Sequence, residues 1–355
     1  MKKKIKMRSN PIGGYMPFRK LLTVIVLSMG LAVLNAAPKI PVGYSLKLIK
    51  KFKVPELPKI KKHVMENFKV CMAVSDSLIY FADVNDSTNT KSYCYDFKGK
   101  KLDGFSLPAD TGYQEPLTFE NTFYYLPDSN QLAYADLYSK QKMDFYNLEG
   151  QLISQKHKVS EMRENYLDIG EFDNTRYFVS ITYLHDKDKP FPENYRSTVK
   201  LYEEQQNLEM KVLRNIEFQW GKLERGIDWR ALQIDNYSTT QMAVSEVQAN
   251  EYNITLYTSD KIDTIHIHRE NLYTAKAPKM PFQFKLGKNF VALGELSVKL
   301  KFPLTQEIYD FNGNYKGTLI FKDDKKNELV DIVGDNLIAV NPLKGTISIY
   351  EIKVK

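Results

Sequence analysis

The stretch TQEIYDFNGNYKGTLIF, residues 305–321, holds two runs of alternating apolar and polar residues separated by a short polar turn. Alternation with a period of two predicts a strand with one buried face. The turn contains Asp310, Asn312 and Gly313, residue types that favour tight reversals of the backbone. The stretch therefore predicts two neighbouring antiparallel strands, the first of which ends in an aromatic residue, Tyr309.

The same pattern recurs five more times along the chain. The other copies are KSYCYDFKGKKLDGFSL (91–107), KMDFYNLEGQLISQKHKV (142–159), STVKLYEEQQNLEMKVL (197–213), YNITLYTSDKIDTIHIH (252–268) and TISIYEIKVK (346–355). Alignment places a tyrosine at the same position in all six copies: Tyr95, Tyr146, Tyr202, Tyr257, Tyr309 and Tyr350. Their spacings are 51, 56, 55, 52 and 41 residues. One or two apolar strands precede each copy, and six such units predict an all-β fold, a six-bladed β-propeller of four-stranded antiparallel blades.

The blade limits follow from the repeat. The first five blades are predicted at residues 68–107, 117–159, 166–216, 230–268 and 282–322. The sixth blade, residues 328–355, has only three strands, and YSLKLIKKFKV at 44–54 is predicted to supply the fourth. Closure by strands from both parts of the chain would remove the open sheet edges that invite aggregation. We expect the six tyrosines to pack between neighbouring blades rather than to form a ladder for a ligand.

Three of the turns share the order aromatic, Asp or Asn, two residues, Gly: YDFKG (95–99), YNLEG (146–150) and YDFNG (309–313). In these turns the chain resembles the bacterial exported six-bladed β-propellers, a loose group related to the NHL-repeat propellers, and the resemblance covers residues 44–355. Blades three and four lack the glycine, which leaves their strand limits less defined. The resemblance implies a fold and a place outside the cytoplasm, but no shared chemistry.

The chain of 355 residues carries a formal net charge of +7, and the basic residues before residue 21 account for all of this excess. The remainder is neutral and of ordinary globular composition, which argues against a nucleic-acid partner. The basic stretch is followed by an apolar run, LLTVIVLSMGLAVLNAA at 21–37, which is the order of a secretory signal peptide. Translation that starts at Met16 would give a more compact signal peptide. Residues 1–37 are thus predicted to be a signal peptide, or alternatively a retained membrane anchor, and residues 38–355 the propeller. Contact with a membrane is expected only through this segment if it is not cleaved.

The chain has two cysteines, Cys71 and Cys94. The strand assignment places them on the first and third strands of blade one, about 9 to 10 Å apart across two strand spacings. A disulfide needs Cα atoms closer than about 7 Å, so both thiols are predicted to be free.

Local motifs give little support to catalysis. GxSxG, HExxH, the P-loop, the Asp-box and paired CxxC are all missing from the sequence, so no catalytic residue, metal or cofactor is predicted. His266 and His268 in DTIHIH share one face of a strand, but exposed surface histidines are expected there because no third ligand is specified. The loop at 83–90, DVNDSTNT, offers oxygen ligands for calcium, although a solvated turn is the favoured interpretation.

The lengths of the loops indicate which face of the ring carries the binding site. The long connectors at 107–116, 184–197, 218–230 and 269–281 are predicted at one face of the ring, and tight turns at the other. The connector at 218–230 holds both tryptophans of the chain, and the candidate ligand-binding residues are Trp220, Arg225, Trp229 and Arg230. Trp and Arg are enriched as binding anchors. The alternative is that these side chains pack between blades.

Two functions follow from these observations. The first is an exported, periplasmic, non-enzymatic propeller that binds a protein, peptide or glycan through its long-loop face. The alternative is a calcium-dependent enzyme of the lactonase or hydrolase type. At least three inward acids that converge within metal distance would favour the enzyme.

Overall fold

The architecture is six separate four-stranded antiparallel sheets, seen in a computed structural model. The structure describes residues 43–57, 70–83, 91–107, 123–136, 142–157, 164–185, 195–219, 231–248, 251–268, 279–297, 305–319, 329–341 and 344–354. None of these residues belongs to a helix long and apolar enough to cross a membrane. The chain folds as a six-bladed β-propeller, as the repeat predicts.

Four consecutive strands form each of blades one to five, whereas blade six combines three consecutive strands with β1. The closing strand is β1 (Tyr44–Lys53). Blade one is β2 (Val70–Val74), β3 (Leu78–Asp83), β4 (Lys91–Asp96) and β5 (Lys101–Leu102). Blade two is β6 (Phe123–Leu126), β7 (Gln131–Asp136), β8 (Lys142–Tyr146) and β9 (Leu152–His157). Blade three is β10 (Glu164–Phe172), β11 (Thr175–His185), β12 (Tyr195–Glu204) and β13 (Met210–Gln219). Blade four is β14 (Leu232–Ser238), β15 (Gln241–Gln248), β16 (Glu251–Thr258) and β17 (Ile262–His268). Blade five is β18 (Lys279–Gly287), β19 (Phe290–Ser297), β20 (Thr305–Asp310) and β21 (Tyr315–Leu319). Blade six is β22 (Leu329–Val333), β23 (Asn336–Asn341) and β24 (Thr346–Val354), completed by β1.

Blade six is closed by a strand from the other part of the chain, as predicted. β1 runs antiparallel to β24, with Tyr44 opposite Val354 and Lys53 opposite Thr346. The Val54 N–H extends this pairing by donating to the Gly345 carbonyl oxygen at 2.9 Å. Every blade therefore has four strands, and β1 supplies the outer one of blade six.

The repeated tyrosines occupy the third strand of all six blades, and two of them make ring contacts with the preceding blade. The Tyr95 ring lies 5.9 Å from that of Phe52 on β1, and the Tyr257 ring lies 5.9 Å from that of Phe172 on β10. Tyr350 shares a buried cluster with Phe290 of blade five. The packing interpretation of these residues is therefore supported.

The two cysteines are free and buried, as predicted. Cys71 on β2 faces Ala82 of β3, and Cys94 on β4 faces Tyr80 of the same strand, so β3 separates them. Burial raises the pKa of the Cys94 thiol to about 12. This thiol therefore stays protonated at neutral pH.

Four turns between third and fourth strands, those of blades one, two, three and five, share one geometry. In three blades the N–H of Gly99, Gly150 or Gly313 donates to the carbonyl three residues earlier, and these glycines have φ of +85°, +87° and +80°. Blade three forms the same turn without glycine, because Leu208 takes φ 65° and its N–H donates to the Gln205 carbonyl oxygen at 2.8 Å. The missing glycine therefore does not disrupt the turn of blade three.

These glycines also meet the outer part of the preceding blade. A Cβ on Gly150 would overlap the Ser106 carbonyl oxygen of blade one, and a Cβ on Gly313 would overlap the His266 carbonyl oxygen of blade four. A Cβ on Gly99 would lie 2.7 Å from Cγ of Phe52. The glycine of the turn is thus a contact point between blades, besides being a residue that tolerates positive φ.

Replacement of Gly150 by alanine should destabilise the protein by about 2 to 4 kcal/mol, since backbone strain and overlap with the Ser106 carbonyl add. Gly104 offers a matched control, because it has φ of +95° and, among the described residues, nothing beyond its chain neighbours lies within 4 Å of where a Cβ would be. Gly104→Ala should lower the free energy of unfolding only through backbone strain, by about 1 to 2 kcal/mol. Urea unfolding of both variants measures the difference. Equal losses would show that the contact between blades contributes nothing.

Candidate functional site

The four predicted binding residues, Trp220, Arg225, Trp229 and Arg230, lie outside the described residues. The described chain leaves β13 at Gln219 and resumes at Ala231, immediately before β14. The structure fixes where this segment is attached to the ring, and the role of its side chains stays a prediction.

The two ends of the ring differ in the length of their connections. Turns from first to second strand and from third to fourth strand lie at one end, here named the short-turn end, and each has two to five residues. Connections from second to third strand and from one blade to the next begin and end at the opposite, long-loop end. Those longer than eight residues join β1 to β2, β5 to β6, β11 to β12, β13 to β14, β17 to β18 and β21 to β22. The strand order thus places the flanks of all four predicted long loops at the same end.

The first strands of the blades surround a central channel with a cavity of about 90 Å³. Its polar lining includes Asp168, Gln233, Asp235, Gln283, Lys285 and Asp331, and it reaches Asp76 and Pro127 in turns at the short-turn end. A larger cavity of about 250 Å³ lies between blades three and four, lined by residues such as Tyr177 and Tyr257. The channel is the better candidate site, because polar groups from several blades converge there.

Lys285 links three blades within the channel. Its Nζ lies 3.0 Å from Oδ1 of Asp235 in blade four and 2.8 Å from Oδ1 of Asp331 in blade six. The exposed fractions of the three side chains are only 10% to 13%. Burial would lower the pKa of Lys285, but the two carboxylates outweigh it and hold the pKa above its ordinary value. The ammonium group therefore stays charged and bridges its neighbours.

The remaining channel groups bind backbone atoms of the next blade. Asp168 of blade three accepts from the Ile234 N–H at 2.8 Å, and Asp235 of blade four accepts from the Leu286 N–H at 2.6 Å. Gln233 likewise accepts from an N–H of blade five. These side chains, together with Lys285, tie the inner strands of blades three to six together, so their first role is to hold the ring.

Burial raises the pKa of two channel carboxyl groups above the ordinary value of an aspartate. Burial raises the pKa of Asp168 to about 7, although hydrogen bonds from backbone N–H groups act in the opposite direction. Burial also raises the pKa of Asp235 to about 6, against the attraction of Lys285. Burial thus favours the uncharged form of both acids, whereas the backbone N–H donors and Lys285 favour their carboxylates.

The described part of the chain contains no preformed metal-binding site with three or more ligands. Its residues contain no group of three or more His, Cys, Asp and Glu side chains that could hold a metal ion. Where a lactonase-type enzyme would require acids around an ion, Asp235 and Asp331 instead share the ammonium of Lys285. The calcium candidate at 83–90 lies outside the described residues, apart from the backbone of Asp83 at the end of β3.

The channel residues belong to no catalytic motif, yet they leave a signal in the sequence. Asp168, Asp235, Lys285 and Asp331 are charged residues within the apolar first strands of four consecutive blades. First strands line the centre of a propeller, so a charge at that position predicts a channel residue. The sequence does not predict which of these charged residues form ion pairs with one another, because the partners lie on different blades.

Comparison with known proteins identifies the fold. No protein-family model matches the chain, and no curated protein matches it in sequence. Among solved structures, a Bacteroides fragilis protein assigned as exported is 12% identical, with a TM-score of 0.51 over 90% of this chain and 96% of the other. The likeness is one of fold. The relation to NHL-repeat propellers stays a prediction.

Two further structures show lower similarity. An inactive form of virginiamycin B lyase from Staphylococcus aureus is 10% identical over 86% of this chain and 99% of its own, with a TM-score of 0.44. The SapL1 lectin is 7% identical over 78% of this chain and 90% of its own, with a TM-score of 0.43. At these levels neither protein indicates what this chain binds.

Proposed function

We propose that this protein is an exported, non-enzymatic binding propeller that recognises a protein, peptide or glycan through its long-loop end. One observation carries the proposal: the strand order attaches the long connectors, including the one with both tryptophans, to the same end of a closed ring. Long loops on a rigid scaffold are where binding sites are normally built. The connections at the opposite end are short turns of two to five residues.

The chemistry of the proposed site comes from residues 220–230. Trp220 and Trp229 could stack on a sugar ring or an aromatic side chain, and Arg225 and Arg230 could fix a carboxylate by paired hydrogen bonds. The described channel supports this placement, because its acids and Lys285 are already engaged with one another or with backbone groups.

Export is part of the same proposal. The apolar segment at 21–37 follows a basic stretch, which is typical of a secretory signal and favours a location outside the cytoplasm, in the periplasm. A retained anchor would place the ring at a membrane surface instead. Mass determination of the mature protein after expression in a bacterial host separates these two cases.

The binding site is tested with Arg225→Ala and Trp229→Ala in the full chain, probed on arrays of glycans and of short peptides. We expect both variants to lose at least tenfold in affinity for the ligands that the unmodified protein selects, with melting temperatures within a few degrees. Lys98→Ala and Lys288→Ala are the controls, because both are exposed residues at the short-turn end. Stability losses in the loop variants, or binding losses in the controls, would overturn the proposal.

A further inference from the structure

The pair His266 and His268 lies on β17, the outer strand of blade four. The buried residues Ile265 and Ile267 alternate with them, so both imidazoles project from the exposed face of the blade. The side chain of His268 is 62% exposed. Residues two apart on a strand are separated by about 6.6 Å along it, which allows two imidazoles to converge on a single ion.

Each imidazole has its own partner on the neighbouring strand, β16. Nδ1 of His266 lies 2.7 Å from Oδ1 of Asn253, and Nδ1 of His268 lies 2.5 Å from Oε1 of Glu251. The strand register makes these pairs, because Asn253 is opposite His266 and Glu251 is opposite His268. The same arrangement thus occurs twice, side by side.

These hydrogen bonds determine which ring nitrogen is available. Both partner atoms are oxygens that accept, so each neutral imidazole carries its proton on Nδ1 and donates it. The lone pair then lies on Nε2, at the side of the ring away from β16. A metal-binding histidine usually has this arrangement, with the second nitrogen held by a carboxylate or carbonyl oxygen.

We propose that His266 and His268 form a site for a divalent transition-metal cation, bound through both Nε2 atoms. Imidazole nitrogen suits Zn²⁺, Ni²⁺ and Cu²⁺, and Cu²⁺ should bind most tightly of the three. Glu251 and Asn253 act as positioning residues that hold the rings. The described part of the chain brings no third metal-binding side chain to the pair, so water completes the coordination. The pair lies where β17 ends, at the long-loop end of blade four and on its outer strand.

The substitutions needed to test the site should preserve the fold. Both side chains are exposed, and the contact of this strand with Gly313 of blade five involves the backbone carbonyl of His266 rather than its ring. Alanine at either position therefore removes a ligand without opening the core. Circular dichroism and melting temperature verify that the variants remain folded.

The experiment is calorimetric titration of the full chain with CuCl₂ and with ZnCl₂. One ion per chain is expected to bind, and His266→Ala or His268→Ala should each weaken this binding at least tenfold. Glu251→Gln should weaken it less, because the amide oxygen can still accept from Nδ1. Broadening of the His266 and His268 ring proton resonances by Cu²⁺, before those of other histidines, provides a direct readout.

His157→Ala and His185→Ala are the controls, and both should bind the ion as the unmodified protein does. The proposal is overturned if neither metal binds at millimolar concentration. It is also overturned if the ion is retained at full affinity by His266→Ala and His268→Ala, since the metal would then be bound elsewhere.

Discussion

Replacing Lys285 with methionine should destabilise the protein by about 3 to 5 kcal/mol, the range found when one partner of a buried ion pair is removed. Methionine preserves the unbranched shape of the side chain but leaves the carboxylates of Asp235 and Asp331 enclosed without a cation. Because these acids belong to the blades on either side of blade five, their repulsion would act between the first strands of blades four and six. Urea unfolding at pH 8 measures the loss.

Protonation and charge removal provide the controls for this variant. Burial raises the pKa of Asp235 and the attraction of Lys285 lowers it, so without Lys285 the folded state takes up a proton on this acid as the pH falls toward 5, whereas the unfolded state binds it only at lower pH. The deficit of Lys285→Met should therefore be smaller at pH 5 than at pH 8. Adding Asp235→Asn and Asp331→Asn should recover most of the loss, since amide oxygens still accept from the backbone. A deficit below about 1 kcal/mol at pH 8 would contradict a bridging role.

Removal of β1 should have the other large effect. A chain that starts at residue 55 loses the partner of β24, the Phe52 ring against Tyr95 and the Tyr44 ring 5.2 Å from Phe290. We expect aggregation, or a fall in melting temperature of more than about 10 °C, because an unpaired edge and a buried cluster are exposed together. Size-exclusion chromatography and thermal unfolding detect the two outcomes.

A chain that starts at residue 43 is the matched control for this truncation, because it keeps every described strand. It should remain monodisperse and melt as the full chain does. If the shorter chain melted at the same temperature as this control, the pairing of β1 with β24 would not be what closes the ring.

The fold was predictable because its signal is periodic. A tyrosine at one position in six copies gives the number of blades, and the missing strand of blade six points to residues 44–54. Alternation within each strand is a local property, which a sequence displays directly. The predicted blade limits accordingly agree with the described strands to within a few residues, except that blade two was predicted from residue 117 and its first described strand begins at Phe123.

The contacts between blades were not predictable in the same way. Gly150 is readable as a turn residue, but its approach to the Ser106 carbonyl depends on how two blades pack. Lys285 and its partners are separated by whole blades in sequence, so no local pattern pairs them. The partners of His266 and His268 became visible only once the register of β16 and β17 was fixed.

Leu208 shows a different limit of sequence reasoning. Its φ of 65° lies in a region that leucine seldom adopts, so composition gave no sign that blade three makes the same turn as its neighbours. The turn is supported from blade two, where Lys156 Nζ donates to the Leu208 carbonyl oxygen at 3.1 Å and lies 2.6 Å from Oε1 of Glu204. A contact with the preceding blade thus replaces the glycine contact seen elsewhere.

The pairing of β1 with β24 also has a consequence for how the protein is made. Tyr44 meets Val354, so β1 leaves the ribosome long before its partner β24 and waits for it. Blades one to five can each assemble from neighbouring strands in order of synthesis, whereas blade six requires the closure of a loop that contains all five of them. During this interval β1 is an unpaired strand with exposed lysines, Lys47, Lys50 and Lys51, whose charges disfavour pairing with other nascent chains.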